Sequence, residues 1–413
     1  MEQPDVISAA EAILTRRYGG EQRLVDATRL PGSGFAGVYR AKVPSNPFLQ
    51  HRSVVVKHSP LTGDPIEDAA YLREVVSYQF TTSLSEDVRP GPVLLGYDVE
   101  QRIVIITDSG DGDTLESLLA DPDPEKRINV LRTLGAALGR MHAGTADKEA
   151  SFNVLFARMT RAHTGSEGVQ NLRDRILLHR IRLGLDMLEQ AGIAVPNEVR
   201  VTASNMSSRL LTGGNRAFTP FDLAPDNVIY SHSIHFLDYE WAGFRDVTFD
   251  LAFVIAGFPN YVSTVPISED EVQVFVDTWV REVADLWPEV AHEDTLQARI
   301  TAALIAWALS SVSVLNINTL GDVWENDEAI AAEFAAAGIA TADAGASVPL
   351  EEFEIRGDIL RPATEGRFTA DEMLVRRDLY ETFEALARYA GTGRDPAYLV
   401  ISEFAHAVAR RLS

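Results

Sequence analysis

The sequence predicts an α+β fold of two unequal lobes, β-rich over residues 1–108 and mostly helical over residues 109–413. Three observations carry this. Five short runs of strand character precede Asp108, among them the alternating pair Val93–Tyr97 and Arg102–Thr107. The run Asp108-Ser109-Gly110-Asp111-Gly112-Asp113 is small and polar, as a lobe boundary is. Beyond it apolar residues recur at helical spacing, except in one stretch, Phe218–Leu251, which reads as loop, hairpin, loop. At 413 residues the chain is also too long for one small core, so two or three domains or lobes are the prior.

In chain order, Glu11–Tyr18 reads as a short helix and Leu24–Leu30 and Val38–Val43 as strands. Between them lies the turn Pro31-Gly32-Ser33-Gly34-Phe35-Ala36-Gly37. Glycines let a backbone approach a phosphate and aim N–H groups at it, and most such turns are nonetheless only turns. The next strand, Ser53–His58, carries Lys57 in the run VVVKH, where the ammonium must snorkel or find a partner. Ile66–Phe80 has helical spacing and carries Glu74. The two residues are either a pair that sets the ammonium on nucleotide phosphates or a strand-edge lysine and a solvated helix glutamate.

In the second lobe, Thr114 is expected to cap a helix through Leu119. Asn129–His142 forms another, with Leu131, Leu134, Leu138 and Met141 on one face and His142 packed. Phe152–Gln190 is mostly helical, Val195–Gly214 is loop-like, and Tyr380–Leu412 closes the chain with two helices. The apolar run Ile300–Ile317 is near the length of a membrane span, but Ser310, Ser311 and Ser313 interrupt it and no basic flank follows, which favours a buried helix. Leu320–Glu372 holds 13 acidic and 3 basic residues, is broken by Gly338, Gly345 and Pro349, and is expected to be a substrate flap or a mobile segment. There are no internal repeats.

The central stretch holds the chemistry. Pro220 and Pro225 keep Asp222 and Asn227 in a loop. Val228–Tyr230 and Ile234–Leu237 then form a hairpin joined at Ser231-His232-Ser233, and Asp238 follows it. Asp222, Asn227 and Asp238 thereby reach one end of a small sheet. Phosphoryl transfer needs one carboxylate to take a hydroxyl proton and oxygen ligands to hold Mg²⁺ on the phosphates. In that reading Asp222 is the base, and Asn227 and Asp238 are metal ligands. Asp, Pro and Asn are also ordinary turn residues. His232 and His235 sit in the hairpin with no third ligand near, so they are structural or exposed. Trp241 is expected in the core rather than as a substrate platform.

A composition of 46% hydrophobic and 23% charged residues places the chain among ordinary globular proteins. The absence of cysteine excludes disulfides, thiolate-held zinc and iron–sulfur sites, and suits a reducing, cytoplasmic compartment. The acidic N-terminus MEQPDVISAAEA lacks the apolar core of a signal peptide. Net charge is −23: residues 1–110 carry 11 basic and 14 acidic residues, or −3, and the remaining 26 basic and 46 acidic residues give −20. Such a surface repels nucleic acid and anionic membrane and tolerates or attracts a cationic small molecule, with a general solubility bias as the other explanation.

With the Gly-rich turn, Lys57, Glu74, Asp222, Asn227 and Asp238 in hand, the chain resembles the aminoglycoside phosphotransferase and choline kinase family, which has a protein-kinase-like fold. PFDLAPDNVIY resembles that family's His-Gly-Asp-x4-Asn loop, and FLDYEWAGFRDVTFDLA its Asp-x-Glu-x-Ala and Asp-Leu-Ala motifs. The resemblance runs from about Val25 to Ala256 and is weaker between Ala143 and Ala217. It implies ATP and Mg²⁺ as cofactors, Asp222 as catalytic base, Asn227 and Asp238 as metal ligands, and Lys57 on the ATP phosphates with Glu74 as partner. It further implies Ser33 and Gly34 at the nucleotide, backbone near Ile106 to Asp108 at the adenine, and Asp250 as a structural brace of the catalytic loop. Pro220 stands where the family has histidine and Phe221 where it usually has glycine.

These features lead to a small-molecule kinase acting on a hydroxyl of an antibiotic, amino alcohol or sugar-like acceptor, with Asp226 the nearest acidic residue for a cationic one. The other reading is a nucleotide-binding pseudokinase serving as an interaction module, and ADP release separates the two. A protein kinase is disfavoured, because no clear activation segment lies between Asp238 and Asp250.

Overall fold

The structure, a computed structural model, describes residues 1–31, 36–163, 166–261, 266–315, 328–339, 355 and 357–413. The N-terminal lobe is built on a five-stranded antiparallel sheet. Its strands are β1 (Val25–Arg29), β2 (Gly37–Lys42), β3 (Ser53–His58), β4 (Leu94–Asp98) and β5 (Ile103–Thr107), in the order β1-β2-β3-β5-β4. Successive side chains of a strand point to opposite faces. In β3, Val54, Val56 and His58 are buried on one face while Val55 and Lys57 are half-buried on the other.

The first face is closed by α1 (Gln3–Tyr18), whose Val6, Ala10, Ile13 and Leu14 share a core with Val54, Val56, Ile103 and Ile105. This helix starts two turns before Glu11, because Pro4 sits in the first turn, where a missing N–H costs nothing. The other face is covered by α3 (Ala70–Thr82), whose Leu72, Val75 and Val76 pack with Val104 and Ile106. The single helix expected over Ile66–Phe80 is instead two. The short α2 (Pro65–Asp68) is capped by Asp64, which accepts from Ile66 N and Glu67 N, and it ends before Ala70.

The second lobe is helical: α4 (Leu115–Leu119), α5 (Pro124–Thr145), α6 (Glu149–Ala162), α7 (Ser166–Gln190), α8 (Asn197–Thr212), α9 (Thr248–Ile255), α10 (Glu269–Val283) and α11 (Glu293–Leu315), then Glu328–Ala336, Ala370–Gly391 and Pro396–Leu412. Thr114 caps α4 as expected, its Oγ1 accepting from Ser117 N at 3.2 Å. α5 buries Leu131, Leu134, Leu138 and Met141.

Val195–Gly214 is not a loop. It contains α8, which buries Val199, Ala203, Met206 and Leu210 at helical spacing behind a polar outer face of serine, threonine and asparagine. α11 is long and apolar enough to cross a membrane, yet it is almost wholly buried among α7, α8, α9 and Ala370–Gly391. Its Ser313 hydroxyl donates to Ser310 O at 2.7 Å, which lets a serine sit in that core. Of the acidic segment Leu320–Glu372, expected to be a flap or a mobile segment, residues 320–327, 340–354 and 356 lie outside the described residues.

Two small sheets sit at the junction of the lobes. β6 (Asp113–Thr114), β8 (Val228–Tyr230) and β9 (Ile234–Phe236) form one, and β7 (Arg216–Thr219) pairs with β10 (Gly243–Asp246) in the other. The register Thr219 opposite Gly243 places the segments that follow β7 and precede β10 side by side. These segments are 220–227 and 238–242.

Candidate active site

Lys57 lies on the α3 face of the sheet, so its ammonium emerges beneath that helix. Nζ donates to Glu74 Oε1 at 2.9 Å and to Asp238 Oδ1 at 2.7 Å. Lys57 and Glu74 are paired rather than separately solvated, and Glu74 is 2% exposed. Burial pushes the Lys57 ammonium down, but the Asp238 and Glu74 carboxylates outweigh it and hold the pKa well above the ordinary value. Burial, with the Asp238 charge, pushes Glu74 up to about 7, and Lys57 pulls against it.

Asp222 and Asn227 lie in the segment leaving β7. Phe221 has a φ of 68°, in the left-handed region that costs a side chain energy. Its ring is held by the Arg245 guanidinium 4.6 Å from its centroid and by the Trp307 ring at 5.0 Å. Asp222 Oδ1 accepts from Ala224 N at 3.1 Å. Burial first, then the negative charges of Asp238 and Asp226, pushes the Asp222 carboxyl up to about 6. Asp226 and Asn227 lie in a 3₁₀ turn, Pro225–Asn227. Asn227 O accepts from Leu237 N at 2.8 Å, which fixes Asn227 beside the residue preceding Asp238. Asp238 itself has a φ of 56°, a conformation aspartate tolerates better than most residues.

Asp250, in α9, is fully buried, and its Oδ2 pairs with His142 Nε2 at 3.1 Å. Trp279 Nε1 donates to His142 Nδ1 at 3.0 Å. An indole N–H only donates, so Nδ1 is the acceptor nitrogen and Nε2 carries the proton given to Asp250. Burial raises the Asp250 pKa, and His142 and the backbone N–H of Phe221 are among the groups that pull it back. His142 is packed, as expected, but the sequence reading missed its bond to Asp250.

Ile106 is in β5 and Asp108 follows its last residue. The Asp108 carboxylate is held by Arg40 Nε at 3.0 Å and by Gly110 N at 3.0 Å. Ser33 and Gly34 lie outside the described residues. His235 bonds Ser109 and Ser233 hydroxyls, and His232 is exposed. Trp241 is half-buried beneath Arg173, whose guanidinium lies 4.1 Å from the ring centroid. Glu240 was not singled out in the sequence, although it is the second acid of Asp-x-Glu. Burial, then Asp238, pushes it up to about 8.

An antiparallel sheet thus presents a lysine paired to a helix glutamate, and the Asp238 carboxylate meets that lysine, close enough to Asp222 to influence its carboxyl. The fold is bilobal, an antiparallel-sheet lobe joined to a helical lobe.

No family model and no curated protein matches the chain. Solved structures similar to it include an ADP-bound aminoglycoside phosphotransferase, APH(2'')-Ib. It is 12% identical, covers 83% of this chain and 98% of its own, and has a TM-score of 0.45. LicA in complex with AMP is 15% identical over 92% of this chain and 98% of its own, with a TM-score of 0.43. A putative fructosamine-3-kinase from Thermobifida fusca is 15% identical over 80% and 99%, with a TM-score of 0.42.

Proposed function

We propose that the protein is an ATP-dependent phosphotransferase that passes the γ-phosphoryl group to a hydroxyl of a small-molecule acceptor. The observation that carries this is Lys57 Nζ bridging Glu74 and Asp238 at 2.9 and 2.7 Å, next to Asp222 with its carboxyl raised to about 6. The Asn227 side-chain carbonyl and the Asp238 carboxylate are hard oxygen donors, the set that suits Mg²⁺. When bound, the metal supplies charge neutralisation on the phosphates. Lys57, oriented by Glu74, adds a fixed cation that needs no reorganisation during transfer. Asp222 accepts the acceptor's proton, and a base whose pKa lies near 6 is mostly ionised at neutral pH while still able to take a proton. Backbone near Ile106 to Asp108 meets the adenine in this reading.

The acceptor site is proposed on the helical lobe, where Asp226 and Glu116 lie close enough to Tyr261 to influence its hydroxyl. Asp378 and Glu381 line a small cavity with Tyr261. With −20 on residues 111–413, an amine-bearing acceptor is the favoured class.

The test is ADP release with a panel of amino alcohols, aminoglycosides, macrolides and sugars. Asp222→Ala should lose about 10²–10⁴-fold in turnover with MgATP affinity retained. An inactive nucleotide-binding module predicts no ADP release with any acceptor, and Asp222→Ala turnover within about tenfold of wild type would sink the base assignment. Steering by exposed charge weakens as the Debye length falls from ~10 Å at 0.1 M salt to ~3 Å at 1 M, so kcat/KM that stays flat across that range removes the argument for a cationic acceptor.

A further inference from the structure

Asp174, in α7, lies between two buried guanidiniums. Its Oδ2 accepts from Arg73 Nη2 at 3.0 Å and its Oδ1 from Arg245 Nη2 at 2.9 Å. Arg73 is 3% exposed and Arg245 is 1% exposed. Each arginine reaches a different part of the site. Arg73 immediately precedes Glu74 in α3 and also donates to Ala242 O at 3.3 Å and to Gln170 Oε1 at 3.0 Å. Arg245, in β10, donates to Trp241 O at 2.5 Å and lies against the ring of Phe221, the residue before Asp222. One carboxylate therefore joins the helix that holds Lys57, the chain that follows Asp238, and the entry to the Asp222 loop.

We infer that Arg73, Asp174 and Arg245 form a positioning triad that sets the Asp222 loop and the Asp238 segment at a fixed distance from the Lys57–Glu74 pair. The inference rests on the phosphotransfer reading of those residues. Two buried cations on one half-buried carboxylate are a costly way to hold a fold together, since apolar residues of similar volume do as well or better than ion pairs taken out of water. What it supplies is direction. The guanidinium plane presents donors at its edge and a flat face to an aromatic ring, and lysine reproduces neither. That face holds Phe221, whose backbone would otherwise relax out of its left-handed conformation. Burial pushes Asp174 up, but Arg73 and Arg245 outweigh it, so the carboxyl stays below its ordinary range.

The test uses Arg245→Lys, Arg245→Met, Phe221→Gly and the double variant Phe221→Gly/Arg245→Met in the full chain. MgATP-dependent ADP release with the best acceptor of the panel is followed beside MgATP affinity and amide hydrogen exchange. Each single variant should lose about tenfold or more in kcat with KM for ATP within about threefold of wild type. Arg245→Lys should resemble Arg245→Met rather than wild type, and the double variant should lose little beyond either single one, because both act through one contact. Exchange in residues 221–227 should quicken while exchange in β2 and β3 is unchanged.

Retention of kcat in Arg245→Lys, additive losses in the double variant, or ATP affinity and kcat falling together with Tm would each overturn the triad's role. If Arg245→Met does not fold, the lysine and glycine variants still decide. A wild-type protein that neither binds MgATP nor releases ADP refutes the phosphotransfer reading instead, and the exchange measurement then reads the triad on its own.

Discussion

Replacing Asp378 with asparagine should stabilise the protein above neutral pH and leave it almost unchanged in acid. Asp378 is 9% exposed in the helix Ala370–Gly391, and its Oδ2 accepts from Asn260 N at 3.0 Å. Burial, helped by Glu381, pushes its pKa from 3.8 to about 7, against the pull of the Asn260 N–H. A carboxyl whose pKa is raised on folding binds its proton more tightly in the folded state. Its contribution is fully present below the unfolded value and is lost as pH rises through the folded one. A shift of about three units at 1.36 kcal/mol each sets the loss at about 4 kcal/mol by pH 8, as an upper figure.

Asparagine keeps an oxygen for Asn260 N and carries no charge at any pH, so the variant escapes this loss. Paired melting curves at about pH 4 and about pH 8 measure it, because linkage requires the stability gap to open only above the unfolded pKa. A gap of equal size at both pH values would show that Asp378 does not titrate in this range and would refute the reasoning. On the proposed function there is a second expectation. A protein keeps a destabilising buried acid where it is used, so the more stable variant should bind an amine-bearing acceptor more weakly.

Two further outcomes follow from the site. Asp238→Asn should weaken Mg²⁺-dependent ATP binding as well as turnover, and calorimetry with and without Mg²⁺ checks it; an unchanged Mg²⁺ dependence contradicts the ligand role. Trp279→Phe leaves His142 Nδ1 buried without its donor, so the protein should lose about 1–3 kcal/mol of stability while MgATP affinity is retained, and a melt beside a nucleotide titration reads both.

The parts of this site that were legible in the sequence are those written by local rules. Lys57 declared itself because a lysine on an otherwise apolar strand must face something polar, and strand alternation says which side it is on. Asp222 declared itself because Pro220 and Pro225 flank it and keep it out of an α-helix, and Asn227 because it follows Pro225 by two residues and opens onto a strand. The pairing of β7 with β10 had no such signal: each strand is four residues, and both are almost wholly buried, so neither shows a polar–apolar alternation. α8 does carry a signal, the stripe Val199, Ala203, Met206 and Leu210, set against a polar face whose composition is that of a loop. Long-range partners were the least legible. Arg73 and Asp174 are 101 positions apart, Asp174 and Arg245 are 71 apart, and His142 and Asp250 are 108 apart. Nothing within a window of a helix or strand links them.

The same division explains how the Asp222 loop is ordered with Pro220 and Phe221 at its start. A backbone at φ 68° suits glycine, and for phenylalanine it costs about 1–3 kcal/mol. That cost needs an offset that acts only when the loop is in place. The Phe221 ring supplies one, since it is buried against Arg245, Trp307 and Phe249. A desolvated cation–π contact contributes about 2 kcal/mol and each aromatic pair about 0.5–1.5 kcal/mol, enough to balance the strain. A glycine would adopt the turn freely and leave it as freely. Phenylalanine adopts it only when Arg245 is in register, and Arg245 is in register only when Asp174 holds it. The strained residue therefore makes the position of the candidate base depend on the arginine pair, and through Arg73 on the helix that presents Glu74 to Lys57.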